Sequence, residues 1–199
     1  MIKSGAKLVN MAKCEALIIG GSAGSLDVLL KMLPAIDTQL SFPIIIVIHR
    51  KTGSDSLLPE LLSGRTRLRV KEAEEKEKVV PGTIYIAPSD YHLLLELDHT
   101  LSLDYSEKIN FSRPAIDVTF QTGAEVYKDR LACLLLSGSN ADGVNGLKTV
   151  KRYGGKVLIQ NPENAQVAFM PAQAKLHVDP DYILNAEDMA EFINLLSKP

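Results

Sequence analysis

Five aliphatic residues in a row, Ile44-Ile45-Ile46-Val47-Ile48, stand between Pro43 and His49. Side chains of a strand point alternately to its two faces, so a run with no polar gap must be covered on both sides. That requirement makes residues 43–48 a central parallel strand, which ends at His49. Parallel neighbours are joined by crossovers, usually helices, and the chain supplies them. Residues 16–19 form a first strand-length apolar block. A glycine-rich turn at 20–24 follows, then a helical pattern through Leu26, Leu29, Leu30 and Leu33 that stops before Pro34. Residues 55–62 read as a short helix and 68–73 as a strand running into the charged, solvated stretch 74–78. After Pro81-Gly82 come a strand at 83–87 and an antiparallel hairpin of 92–97 with 101–103 around Asp98-His99-Thr100. Alternation then resumes with a helix at 113–127, a buried strand at 131–136 and a polar loop at 137–146 leading into a helix that ends near Gly154-Gly155. A strand at 156–160, a helix start at 169–174, a strand at 182–184 and a closing helix at 187–196 complete the pattern. The fold class is therefore α/β: a doubly wound, mostly parallel sheet with helices on both faces and one antiparallel hairpin excursion. Residues 1–15 are expected to be a leader or linker remnant, and 16–199 a single domain.

Composition narrows the function. Twenty-two Lys and Arg against twenty-four Asp and Glu leave a net charge of -2, which argues against a dedicated nucleic-acid binder. No apolar run approaches the ~20 residues of a membrane helix, so no membrane insertion is expected. Cys14 and Cys133 follow no metal-ligand spacing, and with no secretory leader in view they fit a reducing, cytoplasmic setting. His92, His99 and His177 have no spacing that suggests a metal site and are expected to be surface or structural; His92 and Arg113 could face the cleft, with a surface or capping role the first expectation for both. No cofactor and no metal is expected.

In open α/β sheets ligands bind beyond the carboxyl ends of the strands, so polar residues directly after apolar strands stand out. Gly20-Gly21-Ser22-Ala23-Gly24 fits G-x-S-x-G, a strand-to-helix turn that exposes a serine hydroxyl beside unpaired helix N–H groups. A phosphate-binding loop would use the same parts, although neither G-x-G-x-x-G nor a Gly-Lys-Ser/Thr ending is present. His49 ends the next strand, where its imidazole could take a proton from a neighbouring serine. The third piece is Ser137-Gly138-Ser139-Asn140-Ala141-Asp142-Gly143, after the strand at 131–136. Asp142 there could simply cap a helix, or it could orient His49 and complete a triad of Ser22, His49 and Asp142.

Together these motifs resemble the catalytic domain of the chemotaxis protein-glutamate methylesterases, the CheB family, from about Ala16 to the C-terminus. The matching segments are Ile19-Gly20-Gly21-Ser22-Ala23-Gly24, Val47-Ile48-His49 and the acidic glycine loop. Supporting matches are Tyr85-Ile86-Ala87-Pro88, Arg113-Pro114-Ala115-Ile116-Asp117-Val118 and Phe169-Met170-Pro171. The resemblance implies hydrolysis of glutamate γ-methyl esters on chemoreceptor helices and, in some members, glutamine deamidation. It implies Ser22 as nucleophile, His49 as general base and then acid, Asp142 as orienting carboxylate, and the backbone N–H of Ser139 as oxyanion donor. The partners it implies are methylated chemoreceptor or receptor-like helices.

The sequence departs from the family pattern in three places. Ser22-Ala23-Gly24-Ser25 replaces Ser-Thr-Gly-Gly, and Ser139-Asn140 replaces Met-Gly. About fifteen residues precede the first strand, so no receiver domain is expected and control would come from a separate regulatory protein or be absent. Two other readings remain at this stage: a non-catalytic or altered-specificity signalling scaffold that keeps the fold, and a general small-ester hydrolase.

Overall fold

The computed structural model describes residues 13–50 and 57–198. Seven strands form one parallel sheet in the order β3-β4-β2-β1-β7-β8-β9, where β1 is Ala16–Gly21, β2 Ile44–Ile48, β3 Arg69–Glu72, β4 Thr83–Ile86, β7 Leu131–Leu135, β8 Lys156–Gln160 and β9 Tyr182–Leu184. The expected antiparallel excursion is a separate pair, β5 (His92–Leu95) with β6 (Leu101–Asp104). From β1 the chain adds β2, then the edge strand β3, then β4 between those two, and returns to the other side of β1 for β7, β8 and β9. The β1/β7 boundary is thus the point where winding reverses, and loops leaving these two strands diverge there to open a crevice.

Alternation along the strands builds two separate apolar layers. Leu17 and Ile19 of β1, with Ile44, Ile46 and Ile48 of β2, face a layer closed by α1 (Ser25–Met32), α2 (Leu57–Ser63) and α6 (Met189–Leu196). Ile18 of β1, with Ile45 and Val47 of β2, faces the opposite layer, closed by α3 (Ile116–Tyr127), α4 (Val144–Arg152), α5 (Phe169–Val178) and the hairpin. All five residues of β2 are buried, as a run without polar gaps requires.

Several boundaries differ from the sequence expectation. β1 continues through Gly21, because Gly20 and Gly21 keep pairing with Val47 and Ile48. Pro34 sits inside a 3-10 turn, Leu33–Ala35, that extends α1; proline is accommodated where its missing N–H is not needed. α3 starts at Ile116 rather than at 113, since Ala115 is extended with φ −100° and ψ 133°. Cys14 and Glu15, grouped above with the leading segment, belong to the fold. Cys14 is buried, and Glu15 pairs with Arg130 through its backbone N–H (2.9 Å) and its carboxylate (2.6 Å). The rest of the leader reading, and residues 55–56 of the expected second helix, lie outside the described residues.

Candidate active site

Ser22 and His49 are brought together by strand register. β1 and β2 pair with Gly21 opposite Ile48, so the next residue on each strand, Ser22 and His49, leaves the sheet side by side, at the ~4.8 Å spacing of neighbouring strands. The His49 N–H donates to Gly21 O at 3.2 Å and the Ser22 N–H to Ser137 O at 2.9 Å, which carries the pairing one step past each strand. The turn then needs a left-handed residue, and Gly24 supplies it with φ +82° at the start of α1. Ser25, one of the departures noted above, is fully buried and fastens the turn by donating both its N–H and its hydroxyl to Ser22 O.

Asp142 arrives from the loop after β7 and is completely buried. Its Oδ2 lies 2.7 Å from His49 Nε2 and accepts the Ile116 N–H at 2.7 Å. Its Oδ1 accepts from Asp117 N (3.1 Å), Gly143 N (3.0 Å) and Asn110 Nδ2 (3.1 Å). Asp142 therefore both contacts His49 and caps a helix, with one change: the helix whose first N–H groups it satisfies is α3, not α4. Ala115 at the start of α3 offers no side-chain cap of its own, and the positive end of that helix favours the anion. Burial pushes the Asp142 carboxyl up, but the His49 hydrogen bond, the Ile116 and Asp117 N–H groups and the imidazole's charge outweigh it, so the net shift is downward.

An ionised Asp142 accepts, so His49 Nε2 must carry the hydrogen of that bond and Nδ1 is left with the lone pair. Ser112 Oγ lies 3.4 Å from Nδ1. Among the described residues Ser22 Oγ forms no hydrogen bond with His49. The Ser22 backbone is held tightly, and its Cβ crowds Gly138: a side chain added there would come within 3.1 Å of Ser22 Cβ and 2.5 Å of Met170 Cε. Only glycine permits this close approach of the β7 loop to the serine turn.

The N–H of Ser139, which is exposed, has no acceptor among the described residues, and neither has that of Ala23 at the start of α1. Asn140, the other departure in that loop, accepts the Asp142 N–H at 3.1 Å and so braces the carboxylate it precedes. A polar cleft of about 640 Å³, lined by Gly24, Asp27, Gln160 and Gln166 among others, opens beside the serine turn.

These features stand in a chain whose relatives are plain. The family model described as CheB methylesterase matches residues 17–193. The chain belongs to the CheB methylesterase family. It is 44% identical over 182 residues to a putative protein-glutamate methylesterase/protein-glutamine glutaminase of Leptospira interrogans, covering 91% of this chain and 94% of that one. It is 37% identical to the protein-glutamate methylesterase/protein-glutamine glutaminase of Thermotoga maritima, covering 89% of this chain and 52% of that one. The crystal structure of the Thermotoga maritima CheB methylesterase catalytic domain superposes with a TM-score of 0.89 at 36% identity, over 93% of this chain and all of that one.

Within this CheB-family fold, several residues of the site were not visible as such in the sequence. Asp117 is buried next to Asp142 and accepts from Gly146 N (2.7 Å) and Asn110 Nδ2 (3.0 Å). Burial raises its carboxyl, the Gly146 N–H counters this, and the charge of Asp142 adds to the rise. Ser137, buried at the end of β7, donates to Ala23 O (2.7 Å) and accepts from Val167 N (2.9 Å), tying the serine turn to the loop before α5. Of the surface and structural roles expected for His92, it takes the structural one: the side chain is fully buried. Its Nε2 lies 3.0 Å from Glu107 O and its Nδ1 accepts the Ala115 N–H, so it clamps the segment leading into α3. Arg113 pairs with Asp90 at 2.8 Å and lies over the Tyr105 ring at 3.8 Å, holding the same segment from outside. Among the described residues no group of three or more His, Cys, Asp or Glu side chains is placed to hold a metal ion, and no helix is long and apolar enough to cross a membrane.

Proposed function

We propose that this chain is a protein-glutamate methylesterase that hydrolyses γ-methyl esters of glutamate on chemoreceptor helices, with Ser22, His49 and Asp142 as its catalytic residues. The observation that carries this reading is the 2.7 Å hydrogen bond between His49 and the buried Asp142, which leaves the lone pair on Nδ1, in a histidine that follows β2 next to the strand end bearing Ser22. Ser22 Oγ attacks the γ-carbonyl carbon while its proton passes to His49 Nδ1, and Asp142 stabilises the imidazolium through Nε2–H. The carbonyl oxygen becomes an oxyanion that accepts from the N–H groups of Ser139 and Ala23, a role supported by their lack of any other acceptor among the described residues. Collapse breaks the ester C–O bond, and methanol leaves with the proton from Nδ1. Water then repeats the sequence on the acyl-serine and releases glutamate. Glutamine deamidation is the same acyl transfer with ammonia as the leaving group, and the relatives' names pair the two activities.

The buried, unpaired thiols Cys14 and Cys133 support a cytoplasmic setting, where disulfides are rare. Ser22→Ala should abolish methanol release from methylated receptor preparations while thermal unfolding stays close to that of the parent protein. Release at the parent rate from the variant would remove Ser22 from the reaction. Binding of receptor that ignores Ser22→Ala, in a protein that releases no methanol, would favour a signalling scaffold instead.

A further inference from the structure

Residues Ile109 to Ser112 form a tight two-residue turn, closed by Ile109 N–H to Ser112 O (3.2 Å) and Ser112 N–H to Ile109 O (2.9 Å). Both central residues are left-handed: Asn110 at φ +51° and Phe111 at φ +62°. Such a turn favours Asn followed by Gly, since Asn tolerates this region and Gly occupies it without steric cost. Phe111 stands where glycine would be most comfortable, and its ring is 98% exposed. Its backbone is strained and its side chain gains no burial, so neither local energy nor the core accounts for a phenyl ring here. A strained residue that the surroundings hold in place points to a task at that position.

The surroundings do hold it. Asn110 Nδ2 bridges the buried carboxylates Asp117 (3.0 Å) and Asp142 (3.1 Å), and Ser112 Oγ lies 3.4 Å from His49 Nδ1. The two neighbours of Phe111 are thus anchored on the carboxylate and the imidazole of the proposed triad, and the ring between them projects outward at the mouth of the site. Ile109, in the same turn, and Tyr105, earlier in the same loop, are also exposed. Resting on the activity proposed above, we infer that Phe111 is a specificity-determining residue: its ring packs against the receptor helix that carries the esterified glutamate. A side chain reaching Ser22 brings the helix that bears it over this rim, and residues three or four positions away lie on the same helical face. Esterification removes the charge of the substrate glutamate itself, so the helical face presented with it carries less charge and suits an aromatic contact.

The test is Phe111→Gly, which suits the backbone and keeps the fold, with Phe111→Tyr as the variant that keeps the ring. A contact made equally before and during the chemical step changes KM and not kcat. For methylated receptor the Gly variant should raise KM about ten- to hundredfold, the size expected for losing a buried phenyl contact, and Tyr should restore it. The loss in kcat/KM on receptor should exceed any loss in the rate at which a small alkyl phosphonate labels Ser22 by at least tenfold. An unshifted KM in Phe111→Gly, with parent protein that does release methanol, would overturn the docking role alone. So would equal losses on receptor and phosphonate. Absence of methanol release from the parent protein would overturn the esterase reading and this contact with it.

Discussion

Asp142 shows how one side chain serves both fold and chemistry. With Oδ1 and Oδ2 surrounded by N–H donors from Ile116, Asp117, Gly143, Asn110 and His49, it has no freedom to rotate, and the His49 tautomer follows from its charge. Asp142→Asn tests that dependence. The amide oxygen would take the Oδ1 position, where three donors converge, and leave the NH2 facing Ile116 N–H and His49 Nε2. His49 could then only accept at Nε2, so its hydrogen would move to Nδ1 and the lone pair needed by Ser22 would be lost. Methanol-release kinetics should show kcat reduced by about 10³- to 10⁴-fold, the scale seen when a triad histidine is held in the wrong tautomer. A reduction smaller than about tenfold would mean that Asp142 does not set the tautomer.

At the scale of elements, the site is assembled where α3 begins, and its stability should respond to acid accordingly. The Asp142 carboxyl is held below its ordinary value, so its contribution is complete above the unfolded aspartate value of about 3.9 and is lost as pH falls through the lower folded value. Asp117, raised chiefly by burial, acts with the opposite sign: its contribution is present below the ordinary value and is lost as pH rises through the folded one. Unfolding free energies of the parent protein and Asp142→Asn, from urea titrations, should therefore differ by about 1–3 kcal/mol near pH 7 and converge towards pH 2. A gap constant across that range would contradict the assignment. The sequence pattern carried the strands well, because β1, β2, β7 and the middle of β8 (157–159) are covered on both faces and so read as apolar runs. It also placed Ser22 and His49 at adjacent strand ends, where parallel register alone brings them together. The turn at 109–112 was not legible: Asn110-Phe111 lacks the glycine that marks such a turn, and its bonds to Asp142 and His49 span 32 and 63 residues. Which of the surface and structural roles His92 takes was not legible for a related reason, since a clamp between Glu107 and Ala115 leaves no periodic or spacing signal.

For the molecule as a whole, the reversal of winding at β1 and β7 explains why residues 22, 49 and 142 meet at one rim. The two apolar layers are independent, α1, α2 and α6 on one side and α3, α4, α5 and the hairpin on the other, and the site lies over the sheet edge where both end. Ser22 comes from the strand that divides the two halves, His49 from the first half and Asp142 from the second. Modification of the protein with an alkyl fluorophosphonate, followed by peptide mass spectrometry, tests this assembly most directly. The adduct should sit on Ser22 in the parent protein and form at least a hundredfold more slowly in His49→Ala. An adduct on Ser112, whose hydroxyl lies 3.4 Å from His49 Nδ1, or a Ser22 that reacts equally fast without His49, would contradict it.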